Sequence, residues 1–356
     1  MKLRLLSHHH KHHMISPLTT TIGGDNFFRF FLSQLSPAAS SYIDSNPTSR
    51  QLAENAERIP SMVGSKSPVY RKGKNSKIEF VESKDGKGEF RSISEALEAS
   101  PSNSNDPVHI NIESGEYYEL INVDTHKTNI VLKGAGIDRT VIDSNVSLDG
   151  TRDITIAHTE NNGVAVENWS NYSVFYNCKL KGVNGSLKAK GWNQFYRSCD
   201  VHGQNNLISG YTAVYFQKSR FFAESEKTVF SSQSSMFFAS NIYFTFDRCS
   251  FYAVGGGQRM KNSSTTSYLG KLLGMYSKIV VIQSYLDESI HYILVNNTFP
   301  NTAHVLISYN YDPGAAISHV EEIGDINVAF KFSLRVFLDK KKWKLPDIDY
   351  DLNFST

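Results

Sequence analysis

Several residue patterns that assign a chain to a common protein class are scarce in this sequence. Its 356 residues include three cysteines, Cys178, Cys199 and Cys249, whose spacing fits no zinc site and leaves one thiol over if a disulfide forms. No run of about 18 apolar residues occurs, which excludes a membrane-spanning helix. Asp, Glu and His residues form no constellation with metal-ligand spacing, so we expect neither a metal nor an organic cofactor.

An excess of charge of one sign is also lacking. The formal net charge is +2, so the field of the whole molecule predicts no nucleic-acid partner. Two locally basic runs, YRKGKNSK and DKKKWK, are interpreted as solvated segments rather than anion-binding patches. The cluster His8–His10, His12 and His13 has no second group of ligands beside it. A disordered polar terminus is therefore favoured over a metal site.

The chain changes character after about residue 75. Residues 1–75 are rich in Ser, His, Asn and Pro and show no sustained hydrophobic period, so we predict a flexible leader there. Its short apolar run, NFFRFFLSQL, is interrupted by Arg29 and matches the hydrophobic region of a signal peptide poorly. The folded region is predicted over residues 76–330, and a C-terminal tail over residues 331–356.

One helix and many short strands are predicted in the folded region. In EFRSISEALEAS, the apolar residues Phe90, Ile93, Ala96 and Leu97 have helical spacing, and the segment ends before Pro101. Short apolar or alternating runs follow, bounded by Gly, Asn, Asp and Ser, which is typical of strands. They are VHINIES, NIVLKGAG, TVID, DITIAH, VAVEN, SVFYNCKLKG, NQFYRSCDVHG, AVYFQKSRFFA, IYFTFDRCSFYA and KIVVIQSYLDE.

These strands contain a repeat. Equivalent positions fall at Cys178, Cys199 and Ser219, which are 21 and 20 residues apart, and related units recur around Cys249 and Ser284. A period near 20 with strands in each unit indicates a solenoid, and a parallel β-helix is favoured. Residues of successive turns would stack about 4.8 Å apart. This spacing suits a disulfide between Cys178 and Cys199 and suits stacked buried thiols equally, so both alternatives stay open.

The folded region resembles the plant pectinesterases (pectin methylesterases). KGEFRSISEALEASP is similar to the opening helix of that family, with its G-x-[YF]-x-T-I-x-E-A-[VL] pattern. INIESGEYYE and NIVLKGAGIDRTVI are similar to its I-x-I-x-x-G-x-Y-x-E and I-x-L-x-G-x-G-x-x-x-T-V-I segments, and QFYRSC to its Q-F-Y-R-x-C. The resemblance runs from about residue 78 to Ala315. It implies an all-β fold, a right-handed parallel β-helix with one N-terminal capping helix, that binds homogalacturonan in a surface groove.

The resemblance also identifies the positions of the catalytic residues, and all of them are substituted. GVNGSL stands for G-Y-Q-D-T-L, which puts Asn184 at a Gln position and Gly185 at the general acid. GQNNLISG stands for G-T-V-D-F-I-F-G, which puts Asn206 at the nucleophile. NGVAV places Asn162 at the second oxyanion-binding Gln. LGKLL stands for L-G-R-P-W and places Lys271 at the Arg and Leu273 at the substrate-stacking Trp.

These substitutions remove the chemistry that the family uses. One ionised carboxylate attacks the ester carbonyl and one protonated carboxylic acid gives its proton to methanol. An Asn amide has no ionisable oxygen and glycine has no side chain, so the site is predicted to be inactive. Lys271 retains a positive charge but lacks the bidentate fork of Arg.

Other hypotheses remain open. One is an active or weakly active pectinesterase in which other residues carry out the hydrolysis, and another is a structural relic without activity. If the register is wrong, Asp200 and Asp247 are the nearest acids, although both are expected to face solvent. His202 is a base in principle, but a lone His is more often structural.

Pectin binding would need aromatic rings other than the missing Trp. Trp192 and Tyr211 flank the site in sequence and are candidates for stacking on sugar rings, with core packing as the alternative. We expect a monomer whose partner is a polysaccharide. The family works in the cell wall, which implies an extracellular protein. The sequons at Asn145, Asn168, Asn171, Asn262 and Asn296 would be glycosylated if secreted and exposed.

Overall fold

The structure is a computed structural model. It describes residues 71–72, 78–82, 88–144, 163–235, 242–254, 267–288, 290–295, 304–311, 321–322 and 326–353. All of them belong to the unit Pro68–Thr356. The histidine cluster, nearly all of the leader, the strand predicted in DITIAH, Asn162 and the sequons at Asn145, Asn262 and Asn296 lie outside the described residues.

Three sheets of mostly parallel strands run the length of the folded region, and each turn of the chain from residue 108 to residue 295 adds one strand to each sheet. Sheet A has eleven strands. They are β1 Arg71–Lys72, which pairs antiparallel at the edge, β2 Ile78–Glu82, β3 Val108–Ile112, β6 Ile130–Gly134, β9 Ser173–Tyr176, β12 Gln194–Arg197, β15 Val214–Gln217, β18 Phe244–Asp247, β21 Lys278–Ile282, β24 His304–Ser308 and β25 Glu321–Glu322.

Sheets B and C have seven strands each. Sheet B consists of β4 Gly115–Tyr118, β7 Thr140–Asp143, β10 Lys179–Gly182, β13 Asp200–Gly203, β16 Arg220–Ala223, β19 Ser250–Tyr252 and β22 Tyr285–Leu286. Sheet C consists of β5 Ile121–Val123, β8 Val164–Asn168, β11 Gly185–Ala189, β14 Asn206–Gly210, β17 Val229–Gln233, β20 Ser267–Leu272 and β23 Ile290–Val295. The predicted right-handed parallel β-helix is confirmed.

Stacked side chains fill the interior of the coil. The rings of Phe175, Tyr196, Phe216 and Phe246 form a ladder with centroids 5.0, 4.9 and 5.1 Å apart. Such ladders follow from the in-register pairing of the strands, because equivalent residues of neighbouring coils face each other directly. The interior is therefore built from contacts between neighbouring coils.

The three cysteines also lie in the interior, where they are buried and free. Of the two alternatives left open by the sequence, the structure has stacked thiols. Burial raises the pKa of Cys178 to about 12 and raises the pKa of Cys199 and Cys249 well above that of an exposed thiol. The described thiols are therefore protonated and structural.

Tight bends separate the strands of sheet A from those of sheet B. Runs such as SVFYNCKLKG were predicted as continuous strands, but each is split by a residue in the left-handed conformation. These residues are Asn177, Ser198, Lys218, Arg248 and Gln283, with φ between 48° and 57°. The residue that follows is a buried Cys or Ser. The left-handed residue turns the chain, and the next side chain points back into the core.

The predicted N-terminal helix is present as α1, Ile93–Ala99. Ser92 caps it by accepting a hydrogen bond from the backbone N–H of Glu95. Ile93, Ala96 and Leu97 are buried in the main core. The apolar stripe seen in the sequence therefore docks the helix on the coil.

The C-terminal segment, predicted as a tail from residue 331, contains helices. These are α2, Ile326–Phe330, and α3, Leu334–Lys341. Phe337 and Trp343 are buried in a second apolar cluster against Val174, Phe195 and Tyr215 on the outer side of sheet A. The outward side chains of this sheet are apolar, so they need a cover. None of the three described helices has the length and apolar character that crossing a bilayer requires.

The expectation that Asp200 and Asp247 face solvent is wrong. Asp200 is 2% exposed and accepts two hydrogen bonds from Arg220, at 2.7 and 2.6 Å. Asp247 is 1% exposed and pairs with Arg248 at 2.8 Å. Each buried charge has a guanidinium partner, so both acids have structural roles.

Candidate functional site

Asn206 and Gly185, which are predicted at the nucleophile and general acid positions, lie on neighbouring strands of sheet C. Asn206 begins β14 and Gly185 begins β11, the adjacent strand. Asn206 is exposed, whereas Gly185 is buried. A Cβ atom added at Gly185 would lie 2.5 Å from the carbonyl oxygen of Asn206. The two strands therefore approach each other too closely for any side chain at the acid position in this backbone.

Asn184 lies in the turn just before β11. Its Oδ1 atom accepts a hydrogen bond of 3.1 Å from Nδ2 of Asn205, which occupies the equivalent turn of the next coil. The Asn184 amide, predicted at an oxyanion-binding position, is thus held by a neighbouring amide. Its own N–H donors are the part of the group that can still face a ligand. The second predicted amide, Asn162, cannot be placed here because it lies outside the described residues.

Lys271 and Leu273 lie farther along sheet C. Asn206 pairs with Val229 of β17, and Lys271 of β20 pairs with Ser232, so Lys271 is two strands and three residues away from Asn206. These offsets correspond to a Cα separation of roughly 14 Å. Leu273 follows β20 and its side chain is exposed. The structure therefore groups Asn184, Gly185 and Asn206, with Lys271 and Leu273 at a distance along the same sheet.

The two aromatic candidates lie in turns that follow strands of sheet C. Trp192 is 41% exposed, and its backbone N–H donates to Oδ1 of Asn171 at 2.8 Å. Tyr211 is half-buried, and its pKa is raised by burial and by the charge of Glu167. Trp192 therefore offers ring surface to a ligand, whereas Tyr211 packs into a charged cluster.

That cluster was missed by the sequence analysis and is centred on Glu167 of β8. Its carboxylate accepts a hydrogen bond of 2.6 Å from Lys190 and one of 3.0 Å from the indole N–H of Trp169. Lys188 lies 3.9 Å from the second carboxylate oxygen. The ammonium of Lys190 also lies over the Trp169 ring, 4.2 Å from its centroid.

Strand register arranges these side chains in two rows across sheet C. The lysine row consists of Glu167, Lys188, Ser209, Ser232 and Lys271, which are paired strand by strand. The second row lies one residue beyond the ends of β8, β11 and β14. It consists of Trp169, Lys190 and Tyr211, which follow the last paired residues Asn168, Ala189 and Gly210. The members from β8 to β14 are 21 residues apart in both rows. The period found at the cysteines would have revealed both rows.

His202 lies on a different sheet from the candidate site. It belongs to β13 of sheet B, where its ring stacks on Phe222 at 4.3 Å and Nδ1 lies 3.6 Å from Glu224. Its carboxylate partner, Glu224, directly follows β16 of the same sheet. Among the residues that the structure describes, no three His, Cys, Asp or Glu side chains gather as metal ligands.

Comparison with known families agrees with this architecture. The family model described as Pectinesterase matches residues 79–159 and 146–309. A pectinesterase/pectinesterase inhibitor of Prunus persica is 28% identical over 302 residues, covering 76% of this chain and 58% of the relative. The probable pectinesterase/pectinesterase inhibitor 39 of Arabidopsis thaliana is 30% identical over 266 residues, covering 67% of this chain and 48% of the relative. The chain thus spans about half the length of these curated relatives.

Solved structures show the same fold. The pectin methylesterase from carrot superposes with a TM-score of 0.61 at 23% identity, covering 77% of this chain and 98% of the carrot chain. The family match covers more than half of the sequence and the strands form the corresponding coil. The chain therefore belongs to the pectinesterase family.

Proposed function

We propose that this protein is a pectinesterase-like protein of the plant cell wall that binds homogalacturonan and does not hydrolyse its methyl esters. The observation that carries the proposal is the contact between Gly185 and Asn206. The acid position has no side chain and no room for one, and the nucleophile position carries a neutral amide. Loss of both groups corresponds to a rate reduction of about 10³-fold or more.

The alternative of an active or weakly active esterase needs another carboxylate close to Asn206. Glu167 is the one carboxylate in the seven strands of sheet C. It is already bound by Lys190 and Trp169, and it lies in the lysine row rather than beside Asn206. Because Glu167 is in register with Ser209 rather than with Asn206, the described strands of sheet C favour the inactive hypothesis.

Pectin binding is supported by the surface that sheet C presents. Trp192 is exposed in the turn that follows β11, at the opposite end of that strand from Gly185, and aromatic faces stack on sugar rings. One solved relative is a pectin methylesterase mutant in complex with a hexasaccharide; it is 17% identical and shares the fold, with a TM-score of 0.55. The rings at the Tyr and Trp positions of the family motifs are replaced by Val183 and Leu273. Binding would therefore depend on Trp192 and on polar contacts.

The cell-wall location is proposed from family membership. Of the described sequons, Asn168 is fully buried and its amide donates to Ser173 and Tyr196, so it cannot carry a glycan in the folded protein. Asn171 is partly exposed and remains a candidate. Expression in a plant secretory system, followed by mass spectrometry of the Asn171 peptide, would test both statements.

The test of the proposed function is methanol release from highly methyl-esterified pectin. Four proteins are compared: the parent chain, Asn206→Asp, Asn206→Asp with Gly185→Asp, and Asn205→Asp as a matched control that adds the same charge one residue away. We expect no release from the parent or from the control, and retention of the parent on a pectin column at low salt. Methanol release by the parent would refute the inactive site, and lack of retention would refute the binding.

A further inference from the structure

The candidate face combines positive charge with the absence of the two acids that the family uses. The strands of sheet C carry Lys188 and Lys271 and one carboxylate, Glu167. Lys190 follows β11 directly. A face with two carboxylates near its centre repels a carboxylate ligand, whereas the seven described strands of sheet C have two lysines and one acid.

The lysines differ in how far Glu167 neutralises them. Lys190 donates to Glu167 at 2.6 Å and is fully engaged. Lys188 is 3.9 Å from the same carboxylate, and its side chain is 22% exposed, so its charge is only partly compensated. Lys271 is half-buried and has no ion-pair partner among the residues that the structure describes. Lys188 and Lys271 therefore keep charge for a ligand.

The positions of these two lysines suit an extended polyanion. Both belong to the lysine row, where Ser209 and Ser232 separate them. Three strand steps correspond to about 14 Å along the row. Ser232 is buried, but Ser209 is partly exposed, and its hydroxyl can donate to and accept from sugar hydroxyls. A linear uronate chain lying along the row would meet a cation at each end and the Ser209 hydroxyl between.

We propose that the outer face of sheet C selects the demethylated, anionic form of homogalacturonan over its methyl ester. This inference rests on the proposed function, because it requires that the face binds pectin. Lys188 and Lys271 attract the free carboxylates, and the neutral Asn206 and Gly185 do not repel them. The face therefore recognises the acid form that de-esterification leaves, rather than the ester that an active pectinesterase consumes.

Isothermal titration calorimetry at neutral pH tests the proposal. The ligand is an oligogalacturonate of defined length, used either in its demethylated, anionic form (the acid form) or fully methyl-esterified. An exposed ion pair changes affinity by a factor of about 1.4 to 5. We expect Lys188→Gln to weaken binding of the acid form about two- to fivefold, and Lys188→Gln with Lys271→Gln about four- to twentyfold. Binding of the ester should change less than about twofold in both variants, because it carries no charge to lose.

Two further variants make the test specific. Lys181→Gln is the matched control, because Lys181 lies on sheet B, paired with Asp143 at 3.6 Å, and should leave both affinities unchanged. Glu167→Gln should strengthen binding of the acid form about two- to fivefold, since it releases Lys190 and removes the carboxylate of the row. Added salt should weaken binding of the acid form and leave binding of the ester nearly constant.

The outcomes separate this inference from the proposed function. Tighter binding of the acid form that disappears in the double lysine variant supports the inference. Equal binding of both forms, or preference for the ester, overturns the inference and leaves pectin binding standing. Binding of neither form overturns both. A preference for the acid form that persists in the double variant also overturns the assignment to the lysine row.

Discussion

Adding a side chain at Gly185 should destabilise the protein, because the acid position of the family has no room in this backbone. Gly185→Ala adds one methyl group, whose carbon would lie 2.5 Å from the carbonyl oxygen of Asn206, about 0.9 Å short of an ordinary contact at 3.4 Å. That oxygen belongs to the main chain of β14 and cannot rotate away. One of the two strands must therefore shift.

The expected cost follows from the size of this overlap. Overpacking by a methyl group costs about 1–3 kcal/mol, and the lower entropy of the unfolded alanine chain offsets about 0.4–1 kcal/mol. We expect a net loss of about 1–2 kcal/mol in the free energy of unfolding. For a chain of this size, each kcal/mol lowers Tm by about 2–4 °C, so the shift should be roughly 2–8 °C.

Calorimetry and urea denaturation of purified Gly185→Ala measure this loss. Gly115→Ala is the matched control, because its added carbon would lie 3.3 Å from the ring of Tyr117, where a small adjustment suffices. We expect the control to change stability by less than about 0.5 kcal/mol. If Gly185→Ala is as stable as the parent, the strands are not too close, and the argument that the acid position has closed is wrong.

Two further predictions concern the interior. Arg220→Met should lower the free energy of unfolding, measured by urea denaturation, by about 3 kcal/mol, because it leaves Asp200 buried without its partner. Adding Asp200→Asn to the same chain should recover part of the loss. A loss below about 1 kcal/mol in Arg220→Met would contradict a structural ion pair. The three thiols should resist a thiol reagent at pH 8 in the native protein and all react after unfolding, because burial raises the pKa of Cys178 to about 12. Rapid labelling of the native protein, or fewer than three thiols after unfolding, would show that the stacked-thiol arrangement is wrong.

The sequence predicted the architecture because each unit of about 20 residues has the same pattern of buried and exposed positions, and one unit forms one coil. TVID and VAVEN coincide with β7 and β8 as the structure has them. The bends between sheets A and B were missed because Lys218 and Arg248 carry the left-handed conformation. Lys and Arg give no turn signal at these two positions, whereas Asn177 at an equivalent bend does give one, and the prediction of a continuous strand overlooked it. Tertiary stacking rather than local preference imposes these bends.

The ion pairs were predicted less well, although the period of about 20 residues could have been used to find them. Arg220 lies 20 residues after Asp200, and Lys188 lies 21 residues after Glu167, so each pair joins neighbouring coils. Considered alone, each of these residues has the character of an ordinary surface charge. When successive repeats are aligned, each of these residues lies next to its partner in the neighbouring repeat. The C-terminal helices were missed because they are short, with five and eight residues, so neither has enough turns to show a clear helical period.

Catalysis and binding place different demands on such a coil. Hydrolysis by the family's mechanism depends on two carboxylic acids at fixed positions, so under the proposed function Gly185 and Asn206 suffice to remove it. Binding of a polysaccharide depends on many weak contacts spread along several coils, and we propose Lys188, Ser209 and Lys271 as examples. The fold depends on neither, because its stability comes from interior ladders between adjacent coils. Loss of the two acids therefore leaves the scaffold intact, and on a face with lysines it also removes repulsion toward free carboxylates. If both proposals hold, the substitutions that end ester hydrolysis are also the ones that open the face to the acid form of pectin.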